Sequence, residues 1–163
     1  MFKDYYKILG ISRYASMQEV KSAYRTMSMK WHPDKNPDAD VTTIMQDINE
    51  AYAILKDTIK RERYNKEYDI LFAQFTAESF PQSKTEYSEE YEYDYNIKDK
   101  ELKDDIANAR QYAKDLVDEF LKSFKEASKA AVKGAAKQSF QYAVAWIIAG
   151  FILAVLGAIV ISL

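Results

Sequence analysis

His32, Pro33 and Asp34 are the residues whose types and spacing invite a chemical reading. An imidazole two positions from a carboxylate suggests an acid–base pair. Pro33 argues against it. It lacks a backbone N–H and pushes the residue before it out of the α region. His32 and Asp34 are therefore displayed on a bend, where the carboxylate is poorly placed to orient the imidazole. No nucleophile, glycine-rich phosphate loop or carboxylate cluster accompanies them, so no enzyme is expected. The chain has no cysteine and His32 is its single histidine, so neither a disulfide, a protein-made metal site nor a cofactor is expected.

The elements that must hold this bend are written in the flanking pattern. Ser16 with Glu19 has the spacing of a capping box and starts a helix. Val20, Ala23, Tyr24, Met27 and Trp31 recur at three and four, the inward stripe of an amphipathic helix. Ile44, Met45, Ile48, Ala51, Tyr52 and Leu55 form a matching stripe after the turn Lys35-Asn36-Pro37-Asp38. The two stripes are long enough to pack as an antiparallel hairpin, with Tyr6 and Leu9 filling one side. A core drawn from about 70 residues is thin, and modest stability is expected.

Asp4 to Asp69 resemble the J domain of DnaJ-type co-chaperones. Asp4-Tyr5-Tyr6-Lys7-Ile8-Leu9-Gly10 resembles the family's first helix, and Val20 to Arg25 through Met29-Lys30-Trp31 its second. Ile48 to Leu55 resembles the third, and Asp57 with Lys60-Arg61 and Tyr64-Asn65 the fourth. The resemblance implies a partner, a DnaK-family heat-shock chaperone in its ATP state, whose hydrolysis the J domain speeds. It implies that His32, Pro33 and Asp34 engage that chaperone where its nucleotide domain meets its interdomain linker. Asp34 would accept charge-assisted hydrogen bonds there. Lys21 and Arg25, on the outer face of the second helix, would steer an acidic partner surface, with Lys30 adding charge near the bend. Lys35 and Asn36 would flank the contact, with Tyr24 nearby. Ser22 and Thr26 stand where the family often carries further basic residues, which puts the strength or breadth of the contact in doubt. Met45 stands where phenylalanine is usual, a change that adaptable methionine absorbs. The family's glycine- and phenylalanine-rich linker is missing, since the chain has four glycines.

Beyond the resemblance, charge is uneven. Residues 71–105 carry 4 basic and 10 acidic groups, against 12 and 11 in residues 1–70 and 7 and 4 in residues 106–163. No basic footprint for nucleic acid is present. Tyr68, Leu71, Phe72 and Phe75 continue a helical spacing that either extends the fourth helix or docks back. Glu78 to Tyr95, with Pro81 and the run Glu86 to Tyr95, reads as a solvated, flexible acidic linker, or as a docking peptide rich in acid and tyrosine.

From Leu102 a helical stripe returns through Ile106, Ala109, Ala113, Leu116 and Phe120, widened by Val117, Leu121 and Phe124. It is either a coiled-coil seam or an amphipathic helix lying on something apolar. Lys122, Lys125, Lys129, Lys133 and Lys137 form a basic ridge, a solvated face or one turned to anionic lipid at about 1 kcal/mol per lysine. Gln138 to Leu163 is uncharged over 26 residues. Tyr142 to Leu163 would span about 33 Å as a helix, enough for a bilayer core of about 30 Å, with Tyr142 and Trp146 at the entry side. Gly150, Ala154 and Ala158 offer a small-residue face for pairing helices into a homo-oligomer. The N-terminus does not read as a signal peptide, so a tail anchor with the J domain in the cytoplasm is expected.

The expected architecture is all-α. It has a J domain over 1–70, a helix extension and acidic Tyr-rich linker over 71–104, an amphipathic Lys-ridged helix over 105–139 and a transmembrane tail anchor over 140–163. The expected function is that of a membrane-anchored co-chaperone. The rival is a membrane-binding scaffold in which the J-like domain only folds. An intact His-Pro-Asp disfavours the rival, because a loop needed only for folding has no reason to display it.

Overall fold

The computed structural model describes residues 1–37, 39–75 and 91–132. The order is β1 (Phe2–Lys3), α1 (Tyr5–Leu9), α2 (Met17–Lys30), α3 (Thr42–Leu55), α4 (Thr58–Phe75), β2 (Glu92–Tyr93) and α5 (Lys100–Val132). Met1–Lys114 form one compact unit, and a second begins at Asp115.

Each helix of the first unit starts and stops for a local reason. Asp4 caps α1 by accepting from the Lys7 N–H at 2.9 Å. Gly10 ends it at φ +68, a left-handed conformation in which a side chain costs about 1 kcal/mol or more. The capping box opens α2: Ser16 accepts from the Glu19 N–H, while the Glu19 carboxylate accepts from the Ser16 N–H at 2.7 Å. Asp57 accepts from the amides of Ile59 and Lys60 at 2.9 and 3.1 Å, opening α4.

The hairpin of α2 and α3 forms as the two stripes require. Val20 and Ile48 are fully buried, and Tyr24 stacks on Tyr52 with ring centroids 4.1 Å apart. Helix α1 lies across α3, and Tyr64 of α4 closes the core. Its ring stacks on Phe2 and Tyr5 at 5.0 and 4.8 Å. Its hydroxyl accepts from the Tyr5 N–H at 2.9 Å and donates to the Lys3 carbonyl at 2.8 Å. Arg61 ties α4 to the α1–α2 loop, donating to the carbonyls of Arg13 and Ala15 at 3.1 and 2.6 Å.

Burial pushes the Asp4 carboxyl above its ordinary range, against the pull of its cap hydrogen bonds. A carboxyl raised on folding stabilises fully below its unfolded pKa, and that contribution is lost as pH rises through the folded value. Asp4→Asn keeps the cap acceptor and removes the buried charge. It should raise stability at pH 7, with the gain shrinking toward pH 3. Thermal melts of the two proteins across that range check the sign.

The described residues are predominantly helical, as the all-α reading requires, with one short addition: β1 and β2 pair antiparallel, with Phe2 opposite Tyr93 and Lys3 opposite Glu92. One expectation is corrected. The stretch read as a solvated acidic linker is bound at its C-terminal end. The Tyr91 hydroxyl donates to Asp47 and the Tyr95 hydroxyl to Glu67, each at 2.5 Å. The Tyr95 ring meets Phe2 edge-on at 5.9 Å, and Tyr93 meets Phe72 at 5.3 Å. Acidic composition predicts solvation only where no protein donor or aromatic face competes with water. Here the tyrosines supply both. The tyrosines of this stretch are docking groups at positions 91–95; residues 76–90 lie outside the described ones.

The first turns of α5 are docked as well. Leu102, Ile106, Ala109 and Ala113 are buried. Arg110 pairs with Glu50 of α3 at 3.0 Å, Lys60 of α4 pairs with Asp105 at 3.0 Å, and Arg63 pairs with Glu101. This part of the apolar stripe therefore has its cover within the chain. The fourth-helix extension is present, since α4 runs to Phe75. No described helix is long and apolar enough to cross a membrane, and the expected anchor at 140–163 lies outside the described residues.

Candidate functional site

The bend after α2 is a compact turn. The amides of Lys35 and Asn36 donate to the His32 carbonyl at 3.0 and 3.1 Å. The Asn36 side-chain amide donates to the carbonyls of Lys30 and His32, both at 2.9 Å. One side chain thus ties the turn to the last carbonyl of α2, which has no partner within the helix. Asn36 flanks the site as expected, and its structural work is to hold the bend in place. An asparagine in a Pro-rich turn is a usable sequence signal for such a bond.

His32 is half-buried, and its Nδ1 accepts from the Asp34 N–H at 3.1 Å. Burial holds the imidazole below its ordinary 6.5, with the Asp34 charge opposing that shift. The neutral ring is therefore the form that fixes the Asp34 backbone, because a protonated Nδ1 cannot accept. A depressed pKa means the stabilising contribution is present above the unfolded value and lost as pH falls through the folded one. As the single histidine, His32 gives one proton-NMR titration curve; its midpoint should lie below 6.5, and the Asp34 amide resonance should move with it.

Asp34 itself is exposed. Among the described residues its carboxylate has no hydrogen bond or ion pair, so its acceptor capacity points outward. Pro33 is half-buried and Lys35 exposed. Lys21 and Arg25 are exposed one turn apart on α2, as the outer-face reading requires. Lys30 is exposed, with its ammonium over the Trp31 ring at 5.2 Å. Ser22 and Thr26 share the exposed side, and the Thr26 hydroxyl donates back to the Ser22 carbonyl at 3.1 Å.

Tyr24 is elsewhere. It is 4 % exposed, and its hydroxyl donates to Asn49 at 2.9 Å. The structure places it in the core, where it locks α2 to α3, and removes it from the candidate contact surface. Its apolar-stripe position already carried that signal. Of the basic ridge, Lys122, Lys125 and Lys129 are exposed on α5, whereas Lys133 and Lys137 lie outside the described residues.

A second polar centre was not legible as a site. Lys3 bonds Asp47 at 2.6 Å and lies 3.6 Å from Glu50 and 3.4 Å from Glu92. Tyr5 donates to Glu50 at 2.7 Å. Burial alone would pull Lys3 down, but the Glu50 and Asp47 carboxylates together hold its ammonium above the ordinary value. Every member is partnered, so the centre joins β1, α3 and the docked segment rather than waiting for a ligand. No group of three metal-ligating side chains comes together among the described residues.

The bend thus presents an exposed carboxylate at the tip of a helical hairpin whose α2 carries the exposed basic pair Lys21 and Arg25. Residues 4–65 match the DnaJ domain family, and this part of the chain is a J domain. Over this region the chain is 49% identical to the chaperone protein DnaJ of Chlorobium limicola across 67 residues, 40% of this chain and 17% of that protein. It is 53% identical to the chaperone protein DnaJ of Acidiphilium cryptum across 64 residues, 39% of this chain and 17% of that protein. A crystal structure of the J-Trx1 fragment of ERdj5 is 38% identical, covering 40% of this chain and 33% of that one, with a TM-score of 0.38. The chain spans less than a fifth of the length of these DnaJ relatives, and the likeness stops at the J domain.

Proposed function

We propose that this protein is a membrane-anchored co-chaperone that recruits a DnaK-family heat-shock chaperone, in its ATP state, to a membrane surface and stimulates its ATP hydrolysis. The observation that carries the reading is the Asp34 carboxylate, exposed on a bend fixed by Pro33, Asn36 and the neutral His32. It is preorganised to accept charge-assisted hydrogen bonds from a cationic partner group. Lys21 and Arg25 add positive charge one turn apart on α2, which steers and orients an acidic surface more than it adds affinity. The J domain does no chemistry; its part is to bind one state of the ATPase in preference to the other.

Reversing Lys21 and Arg25 to glutamate should weaken chaperone binding about tenfold at low ionic strength and flatten its salt dependence. Titration of the ATP-bound chaperone at two salt concentrations reads both. An unchanged affinity at low salt removes this face from the contact.

The membrane half of the proposal rests on the sequence. The uncharged run from Gln138 to Leu163 has the length and interfacial aromatics of a span, and the lysine ridge precedes it on the side that the positive-inside tendency places in the cytoplasm. Gly150, Ala154 and Ala158 would let such spans pair. The intact chain should resist carbonate extraction, and protease added from the cytoplasmic side should digest its J domain. Deleting residues 138–163 should leave a mostly soluble protein with residual, salt-sensitive binding to anionic vesicles. Carbonate release of the intact chain, or a protected J domain, overturns the topology. The scaffold reading parts from this one at the chaperone: it predicts lipid binding without any stimulation of ATP hydrolysis.

A further inference from the structure

Two tyrosine hydroxyls hold the docked segment to the J domain, and both donate to buried carboxylates. Tyr91 donates to Asp47, which is 2 % exposed, and Tyr95 to Glu67, which is 4 % exposed. Glu67 also accepts from the amides of Lys98 and Asp99 at 3.0 and 2.7 Å, so it sits at the N-terminus of α5. Asp99 caps that helix by accepting from the Leu102 N–H at 3.0 Å. The backbone follows the tyrosines: the Asp4 N–H donates to the Tyr91 carbonyl at 2.7 Å, beside the β1–β2 pairing. Each tyrosine ring is half-buried, with acidic neighbours in the run Glu89-Glu90-Tyr91-Glu92-Tyr93-Asp94-Tyr95.

We propose that Tyr91 and Tyr95 are phosphorylation sites that form a latch, closed when the phenols donate to Asp47 and Glu67 and opened when either carries phosphate. The co-reactants are a protein tyrosine kinase that favours acidic flanks and ATP. The phenol oxygen bonds the γ-phosphorus, the bond from that phosphorus to the β-phosphate bridging oxygen breaks, ADP leaves, and the phenol proton passes to the kinase's base. Phosphorylation consumes the donor and sets close to two negative charges against a buried carboxylate. At Glu67 a hydrogen bond to a charged acceptor becomes a like-charge contact in a site of low dielectric, and at Asp47 the Lys3 ammonium, 2.6 Å away, offsets only part of the added charge. The segment must lift to hydrate the phosphate. Lifting it breaks the β1–β2 pair and frees the first turns of α5 from Glu50, Lys60 and Arg63. None of these groups belongs to the bend or to Lys21 and Arg25, so the latch stands independently of the co-chaperone reading.

The test uses the full chain, the catalytic domain of an acid-directed tyrosine kinase and magnesium ATP, with a glutamate–tyrosine copolymer as the positive control. Peptide mapping reads the sites, and amide hydrogen exchange reads β1, β2 and residues 100–114. The expected result is phosphate on Tyr91, Tyr95 or both, with exchange in those segments faster by about tenfold or more. Tyr91→Phe with Tyr95→Phe keeps both rings, and in that variant kinase treatment should leave exchange unchanged. The proposal is overturned if the copolymer is phosphorylated while neither tyrosine is. It is equally overturned if phosphate is present on them and exchange matches the untreated chain.

Discussion

Asp34→Asn is expected to cut stimulation of a DnaK-family chaperone's ATP hydrolysis about tenfold or more at sub-saturating concentration while leaving the fold untouched. The side chain is exposed and has no partner among the described residues, so removing its charge should change stability by less than about 0.5 kcal/mol. The local geometry should also survive. The Asp34 N–H that donates to His32 belongs to the backbone, and Asn36 still ties the turn to α2. What disappears is the anionic acceptor. A hydrogen bond to a charged group is worth about 1.5–3 kcal/mol, so the chaperone contact should weaken by about tenfold or more. ATPase assays at equal concentrations of parent and variant, with matched circular-dichroism melts, check both halves. Full stimulation by a folded variant would remove Asp34 from the mechanism.

The largest effect on stability should come from Tyr64→Ala. Tyr64 is fully buried, its ring lies against Phe2 and Tyr5, and its hydroxyl joins the Tyr5 N–H to the Lys3 carbonyl. Truncation leaves a cavity and two unpaired backbone groups. Loss of a large aromatic from a core costs about 3–5 kcal/mol, against a typical total of about 5–15 kcal/mol. A thin core sits toward the lower end of that range, so the variant should be largely unfolded at 37 °C. Tyr64→Phe keeps the ring and loses only the hydroxyl bridge, at about 1–3 kcal/mol. Urea melts of the three proteins should rank them parent, Phe, Ala. An alanine variant as stable as the phenylalanine one would mean that the ring stack contributes little.

Much of the J domain was legible because its signals are local. The capping box at Ser16 and Glu19, the inward placing of Val20 and Tyr24 and the bend at Pro33 each follow from a few adjacent residues, and each forms as read, while Ala23, Met27 and Trp31 of the same stripe are only half-buried. The docked segment was legible only as the alternative to a solvated linker, and what it docks on was not, for the opposite reason. Tyr91 and Tyr95 owe their places to Asp47 and Glu67, which are distant in sequence and look like ordinary surface acids. Periodicity finds apolar faces. It does not find a buried carboxylate whose donor arrives from 28 or 44 residues away. Tyr24 shows the complementary error. The family resemblance drew it toward the partner surface, while its own stripe position already placed it inside, stacked on Tyr52. Leu102, Ile106, Ala109 and Ala113 were legible as a buried stripe but not in what covers them, since a helical moment carries no address.

Whether the bend of this J domain acts on an ATPase is decided by single-turnover ATP hydrolysis by a DnaK-family chaperone from the same cell, preloaded with ATP and mixed with increasing amounts of the full chain in detergent or vesicles. The hydrolysis rate should rise to a plateau about tenfold or more above the basal rate, a barrier lowered by about 1.4 kcal/mol or more. A rate that stays at the basal value at every concentration of folded chain would contradict this role for the bend.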